Sequence, residues 1–165
     1  MDLDLPDVKY DTDAAWIRVP DAVYEAYVSV FPEHEYRAAL HAASHALLNV
    51  LPLYIMCLPS DCATECDNPF DSRYRARRLL VYDQQKGGSG IACQASFIFE
   101  ELLQAAQELV DGCDCESDAG CPSCVHSSTC SEYNEVLHKG GSSLVLGWMA
   151  DLERRYVHGE SVSCQ

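Results

Sequence analysis

Five of the ten cysteines in this chain fall within segment 113–130, which reads CDCESDAGCPSCVHSSTC. Two cysteines separated by two residues, as Cys121 and Cys124 are, can bind one metal ion from a single tight turn. Sets of four cysteine sulfurs are typical of structural zinc sites, which leave no position open for water. The segment therefore predicts one structural Zn²⁺ ion, a cofactor that holds the chain in shape.

The candidate zinc ligands are the cysteines Cys113, Cys115, Cys121, Cys124 and Cys130. The CxxC supplies two ligands, and Cys130 lies six residues after it. The fourth ligand is Cys113 or Cys115. Cys115 is nearer to the CxxC, whereas Cys113 follows a predicted helix and would be held more rigidly. Spacing alone does not choose between them.

A CxxC is also the reactive motif of thiol–disulfide oxidoreductases. That motif is expected between a strand and a helix, without three more cysteines close by. Metal binding is therefore the favoured interpretation, and an oxidoreductase that uses Cys121 and Cys124 is the alternative. A free-standing zinc protein that binds other proteins is a further hypothesis.

Two other motifs carry weaker signals. His41 and His45 lie four residues apart on a predicted helix, but Ala42 stands where a zinc protease has its glutamate. We therefore interpret them as histidines that pack and hydrogen-bond against a neighbouring segment. The GGSG at 87–90 lacks the lysine and hydroxyl of a phosphate-binding loop and predicts a tight turn. No catalytic or nucleotide-binding residue is predicted.

The elements that must position the cysteines indicate an α+β domain. Alternating apolar residues at 15–19 and the run RLLVY at 78–82 predict two strands. Apolar residues at three- and four-residue spacing predict helices at 36–50, 99–110 and 145–156. We expect a small sheet packed with two or three helices, and a zinc-binding segment between the last two helices.

Length and charge bound the class of protein. A chain of 165 residues predicts one domain, 1–165, with frayed ends at 1–9 and 157–165. The formal net charge is −15, which should repel a phosphate backbone. Neither a secretory leader nor a membrane span is predicted, so we expect an intracellular protein without a membrane partner.

The motifs together resemble the C-terminal zinc-binding domain of MrfA-like helicases, superfamily 2 DNA helicases related to RecQ-like repair helicases. The resemblance runs from about residue 10 to residue 148, with the motifs in the family's order. The residues that carry it are HAASHALL at 41–48, LPL at 51–53, LVYD at 80–83, GGSG at 87–90, CDC at 113–115, GCPSCV at 120–125, Cys130, Asn134, Leu137 and Lys139.

The resemblance implies a structural accessory domain of an ATP-dependent helicase in DNA repair. Its partners would be helicase motor domains in cis or in trans, with DNA reached through the motor. Such a helicase is nuclear in a eukaryote and cytoplasmic in a bacterium. A phosphate-binding loop and the other motor motifs are missing from this sequence. The chain alone is therefore expected not to be an enzyme.

Overall fold

The computed structural model describes residues 9–65 and 77–157, which form five helices and three strands. The predicted α+β class is confirmed. In chain order the elements are β1 (Ala14–Arg18), α1 (Asp21–Val30), α2 (Tyr36–Tyr54), β2 (Cys62–Ala63), β3 (Arg78–Asp83), α3 (Ile91–Phe97), α4 (Phe99–Asp111) and α5 (Lys139–Val157).

The sheet is antiparallel with the order β1-β3-β2. Its central strand β3 is the apolar run predicted from RLLVY, and Leu79, Leu80 and Val81 are buried. Strand β1 pairs with it at the edge, with Trp16 opposite Leu80. The edge strand alternates, because Ala15 faces the core and Trp16 is exposed.

The core lies where α2 packs against α4 and α5. Helix α2 buries small side chains at its centre, including Ala39, Ala42, Ala43 and Ala46, which allows neighbouring helices to approach closely. Larger side chains come from the partner helices, namely Leu102, Leu103 and Val110 from α4 and Val145, Leu146 and Met149 from α5. This layer carries the segment between α4 and α5.

Two helices go beyond the three that periodicity predicts. Helix α1 buries only Val23 and Tyr27, and α3 has seven residues, so neither offers a long apolar stripe to the sequence pattern. Helix α2 continues past its predicted end at residue 50, through Pro52 to Tyr54. A proline in the last turn removes a single helical hydrogen bond, and Pro52 is exposed at that point.

Some sequence expectations concern residues outside the described ranges. Segment 59–75 is rich in Asp, Asn, Pro, Ser and Cys, which predicts a long exposed loop. It is described only up to residue 65, and this part contains the short strand β2. Most of the chain ends predicted to fray also lie outside. Within residues 9–65 and 77–157, no helix combines the length and the apolar character needed to cross a bilayer.

Helix α5 crosses α1 and α2 at Gly141, which predicts a sensitive position. A Cβ there would lie 2.5 Å from Tyr27 Cε2, 2.6 Å from His138 Nδ1 and 2.8 Å from Ala39 Cβ. We expect Gly141→Ala to lower the free energy of unfolding by about 2 kcal/mol, because the buried groups cannot move aside. Urea denaturation of the purified chain measures this.

Gly147→Ala on the same helix is the matched control. Its Cβ would meet only the end of the Gln107 side chain, which can rotate away. Alanine is also the better helix former by about 1 kcal/mol, so this variant should be as stable as the parent or more stable. Equal losses in the two variants would contradict the close approach at Gly141.

Candidate metal centre

Four of the five candidate cysteines converge between the end of α4 and the start of α5. Cys113 follows Gly112, the residue that caps the end of α4, and Cys115 lies two residues further on. The CxxC turn then brings Cys121 and Cys124 back to them. One sulfur from each of the four residues lies within 4.8 Å of the other three.

The spacing of the sulfurs fits a zinc ion and not a disulfide. The Sγ atoms of Cys113 and Cys121 are 3.5 Å apart, and Cys124 Sγ lies 3.8 Å from both Cys115 Sγ and Cys121 Sγ. A tetrahedral site with Zn–S bonds of about 2.3 Å has sulfurs about 3.8 Å apart. A disulfide needs about 2.0 Å. The cluster therefore has the donor set and the size of a closed four-sulfur zinc site.

The CxxC turn has local features that aim its two sulfurs inward. Gly120, with φ +75°, precedes the turn, and a Cβ there would lie 2.2 Å from Val125 Cγ2. The Ser123 N–H lies 3.4 Å from Cys121 Sγ and the Cys121 N–H lies 3.2 Å from Cys124 Sγ. Backbone N–H groups directed at sulfur stabilise the thiolate form that zinc binds.

Lys139, the first residue of α5, holds the CxC segment in place through hydrogen bonds. Its Nζ donates to the carbonyl oxygens of Cys113 at 2.6 Å and Cys115 at 2.9 Å. Its backbone N–H donates to Asp118 O at 2.8 Å. One residue thus binds the segment on both sides of the metal centre, and its positive charge lies close to thiolates.

Side chains of helix α2 hydrogen-bond the backbone at the end of the CxxC turn. The Asn49 side-chain amide donates to Cys124 O at 2.8 Å and His126 O at 2.9 Å, and His45 Nδ1 bonds Val125 O at 2.8 Å. Asn49 was not among the residues that the sequence singles out. A polar residue between Leu48 and Val50 in an apolar helix was the only available signal.

The four thiols influence one another's protonation. Hydrogen bonds from the Ser123 backbone and from Cys113 lower the pKa of Cys121 to about 7. Burial raises the pKa of Cys124 to about 12. Close thiolates repel one another, so they cannot all ionise easily without a cation. A bound Zn²⁺ supplies that positive charge and holds all four as thiolates.

Cys130 lies apart from the four-cysteine cluster, which differs from the expectation that it would be one of that zinc's ligands. Its Sγ is 3.6 Å from His41 Nε2, and together with His45 these residues form a second group, with ligand atoms within 4.8 Å of one another. Burial and then the neighbouring His41 lower the pKa of His45 to about 4, which keeps its ring neutral. Both histidines hydrogen-bond backbone carbonyl oxygens of the segment after the CxxC, His45 at Val125 and His41 at Val136.

Two cysteines outside segment 113–130, Cys62 and Cys93, lie away from both groups. Cys93 is exposed and Cys62 is buried in the sheet. The chain also has a basic run at 73–78, whose four arginines predict a solvated loop on an otherwise acidic chain. Arg77 and Arg78 are its described arginines, and both are paired. Arg77 lies 3.2 Å from Asp21 Oδ1 and Arg78 lies 2.5 Å from Glu65 Oε1.

Comparison with known proteins supports a zinc function for this centre. A family model described as the MrfA Zn-binding domain matches residues 43–125. The chain is 34% identical over 153 residues to the ATP-dependent helicase hrq1 of Schizosaccharomyces pombe, and 30% identical over 150 residues to the ATP-dependent helicase HRQ1 of Saccharomyces cerevisiae. These alignments cover 84% and 86% of the chain but only 14% of each helicase.

The fold is also similar to part of a solved structure, the crystal structure of the DUF1998 helicase MrfA bound to DNA. The TM-score is 0.57 at 24% sequence identity, and the match covers 88% of this chain and 18% of that one. This likeness shows the fold. Together with the family match it confirms the resemblance drawn from the ordered motifs.

Proposed function

We propose a function from one premise: this chain belongs to the MrfA Zn-binding domain family, whose model matches residues 43–125. We infer that it is a structural, zinc-bearing accessory domain of an ATP-dependent DNA helicase that acts in DNA repair. The observation that carries this proposal is the alignment of 84% of the chain with a segment inside the fission yeast helicase.

The zinc ligands that we propose are Cys113, Cys115, Cys121 and Cys124, because their sulfurs have the separations of a tetrahedral site. The bound ion would supply no chemistry beyond holding four thiolates, since a closed four-sulfur site leaves no position for substrate. It would fix the segment that joins α4 to α5. The surface formed by α4, α5 and the segment between them would then have a single conformation.

The partner that we propose is the helicase motor, in cis or in trans. The net charge of −15 opposes independent binding to DNA and favours contact with a basic protein surface. The described arginines of the basic run are already bonded to acidic side chains, which supports the same conclusion. The domain would therefore reach DNA through its motor.

We expect the isolated chain to hydrolyse no ATP above the contaminant level, with or without single-stranded DNA. We also expect it to bind single-stranded DNA too weakly to measure at physiological salt, because phosphate repels its surface. A coupled ATPase assay and fluorescence anisotropy measure the two quantities. Sustained ATP turnover by the chain alone would overturn the assignment as an accessory domain.

A graft into a related helicase tests whether this domain supports helicase activity. Residues 9–157 replace the matching segment of the fission yeast helicase, and ATP-dependent strand separation is compared with a variant that lacks the segment. The graft should restore activity, and a graft carrying Cys121→Ser and Cys124→Ser should not. A graft with the exposed Cys93→Ser is the control. A graft no more active than the deletion would count against the proposal.

A further inference from the structure

The second cluster of metal-binding side chains lies between α2 and the loop that follows the CxxC turn. His41 and His45 lie one turn apart on α2, with ring centroids 4.3 Å apart, and Cys130 approaches them from the loop. One ligand atom from each residue lies within 4.8 Å of the other two. Both histidines are buried, so this convergence is part of the folded interior.

The distances match those of a zinc site with mixed ligands. A zinc ion with Zn–N of about 2.0 Å and Zn–S of about 2.3 Å in tetrahedral geometry places nitrogen and sulfur about 3.5 Å apart. His41 Nε2 lies 3.6 Å from Cys130 Sγ. The pair therefore has the separation of two ligands that share one ion.

Backbone carbonyls set the tautomer of both histidines. His45 Nδ1 lies 2.8 Å from Val125 O, and His41 Nδ1 lies 3.3 Å from Val136 O. A carbonyl oxygen can only accept, so in each ring Nδ1 carries the proton and Nε2 carries the lone pair. Metal-binding histidines commonly donate their other ring N–H to a backbone carbonyl, which orients the ring toward the ion.

The loop holds the Cys130 sulfur in a comparable way. The Asn134 N–H lies 3.3 Å from Cys130 Sγ, the same kind of contact that the Ser123 N–H makes with Cys121 Sγ in the four-cysteine cluster. The Asn134 side chain closes the loop, since its Oδ1 accepts from the Ser127 N–H at 2.7 Å and its Nδ2 donates to Ser127 O at 3.0 Å. The loop backbone therefore fixes the position of the Cys130 sulfur next to an N–H donor.

Space for a further ligand lies beside this group. A cavity of about 220 Å³ is bordered by His45 and Cys130, and by the polar side chains of Ser127, Thr129 and Gln84. A cavity of this size and polarity can hold water. An ion bound by three protein ligands would thus have a fourth position that solvent can fill.

We propose that His41, His45 and Cys130 form a second zinc site, distinct from the four-cysteine centre, with water from the adjoining cavity as the fourth ligand. Zinc binds both histidine nitrogen and cysteine sulfur. Three protein ligands leave one of its four positions open, and a water molecule can occupy it. The site would join α2 to the loop around Cys130. It would also make zinc content exceed one ion per chain.

Metal content of the purified chain tests this proposal. Protein that has never met a chelator should contain about two zinc ions per chain, measured together with copper, iron and nickel by plasma mass spectrometry. Cys130→Ser should lower this to about one. Cys57→Ser is the matched control, because Cys57 is also partly buried and lies outside both groups, and it should keep both ions.

X-ray absorption at the zinc edge of the unaltered chain gives a result that needs no variant. The proposal expects both sulfur at about 2.3 Å and nitrogen at about 2.0 Å in the average shell. One zinc per chain with a shell of sulfur alone would overturn the second site. Copper or iron in the place of the second zinc would overturn the choice of metal. Neither result would affect the proposed function, which depends on the four-cysteine centre.

Discussion

Cys124→Ser will release the structural zinc and produce the largest loss of stability that we expect from a single cysteine in this chain. The Cys124 side chain is fully buried, and its Sγ lies 3.8 Å from the sulfurs of both Cys115 and Cys121. Serine cannot replace a thiolate ligand, and it would leave a hydroxyl in an apolar site. We expect the free energy of unfolding to fall by about 4 kcal/mol or more.

Zinc analysis and thermal unfolding measure this effect, with Cys93→Ser as the control because Cys93 is exposed. A chelator should lower the melting temperature of the parent and the control, and have little effect on Cys124→Ser. Acid should have the same result as the chelator, since protons compete with zinc for the thiolates. A Cys124→Ser protein that keeps its zinc and its melting temperature would contradict the proposed ligand set.

Ligand spacing made the zinc centre predictable, because a CxC and a CxxC position their sulfurs through a few backbone torsions. The position of Cys130 was not predictable in the same way. It depends on how α2 and the loop after the CxxC lie in space, and His41 is 89 residues away from it in the chain. Residue spacing in the sequence indicates local geometry, but it does not predict contacts between residues that are far apart in the chain.

The difference between local patterns and long-range contacts also explains which helices and strands the sequence predicts. Strand β3 and helix α4 have dense apolar patterns that need no knowledge of their neighbours. Helix α1 contributes two buried side chains, and its position depends on Tyr27, whose hydroxyl is hydrogen-bonded to His138, the residue just before the last helix. Asn49 is likewise recognisable only when the CxxC turn is seen against α2.

Asp83 is the second position where we expect a large effect. Its carboxylate is fully buried at the end of β3, and it accepts from the backbone N–H groups of Ser89 at 2.7 Å, Gly90 at 2.8 Å and Ala92 at 2.8 Å. These bonds close the turn predicted from GGSG and start α3. Asp83→Ala would leave the donors without their acceptor, which should lower the free energy of unfolding by about 3–5 kcal/mol.

The stability of the parent should also depend on acid through this residue. Burial alone would raise the pKa of Asp83, but hydrogen bonds from Ala92, Ser89 and Gly90 outweigh it and lower the pKa below its usual value. The stability that the ionised Asp83 carboxylate adds is therefore fully present above its unfolded-state pKa of about 4. It is lost as pH falls through the lower folded-state pKa. Asp83→Ala should remove this part of the acid dependence.

Urea denaturation at pH 7 and at acidic values measures both effects, with Asp151→Ala as the control because Asp151 is exposed and forms a surface ion pair with Arg154. The turn matters to the metal centre because α3 is followed closely by α4, and α4 ends two residues before Cys113. Asp83→Ala should lower the free energy of unfolding even when the zinc stays bound. Zinc analysis of the variant therefore distinguishes loss of the three hydrogen bonds from loss of the metal. Equal stability of Asp83→Ala and Asp151→Ala would show that the three hydrogen bonds contribute nothing to the fold.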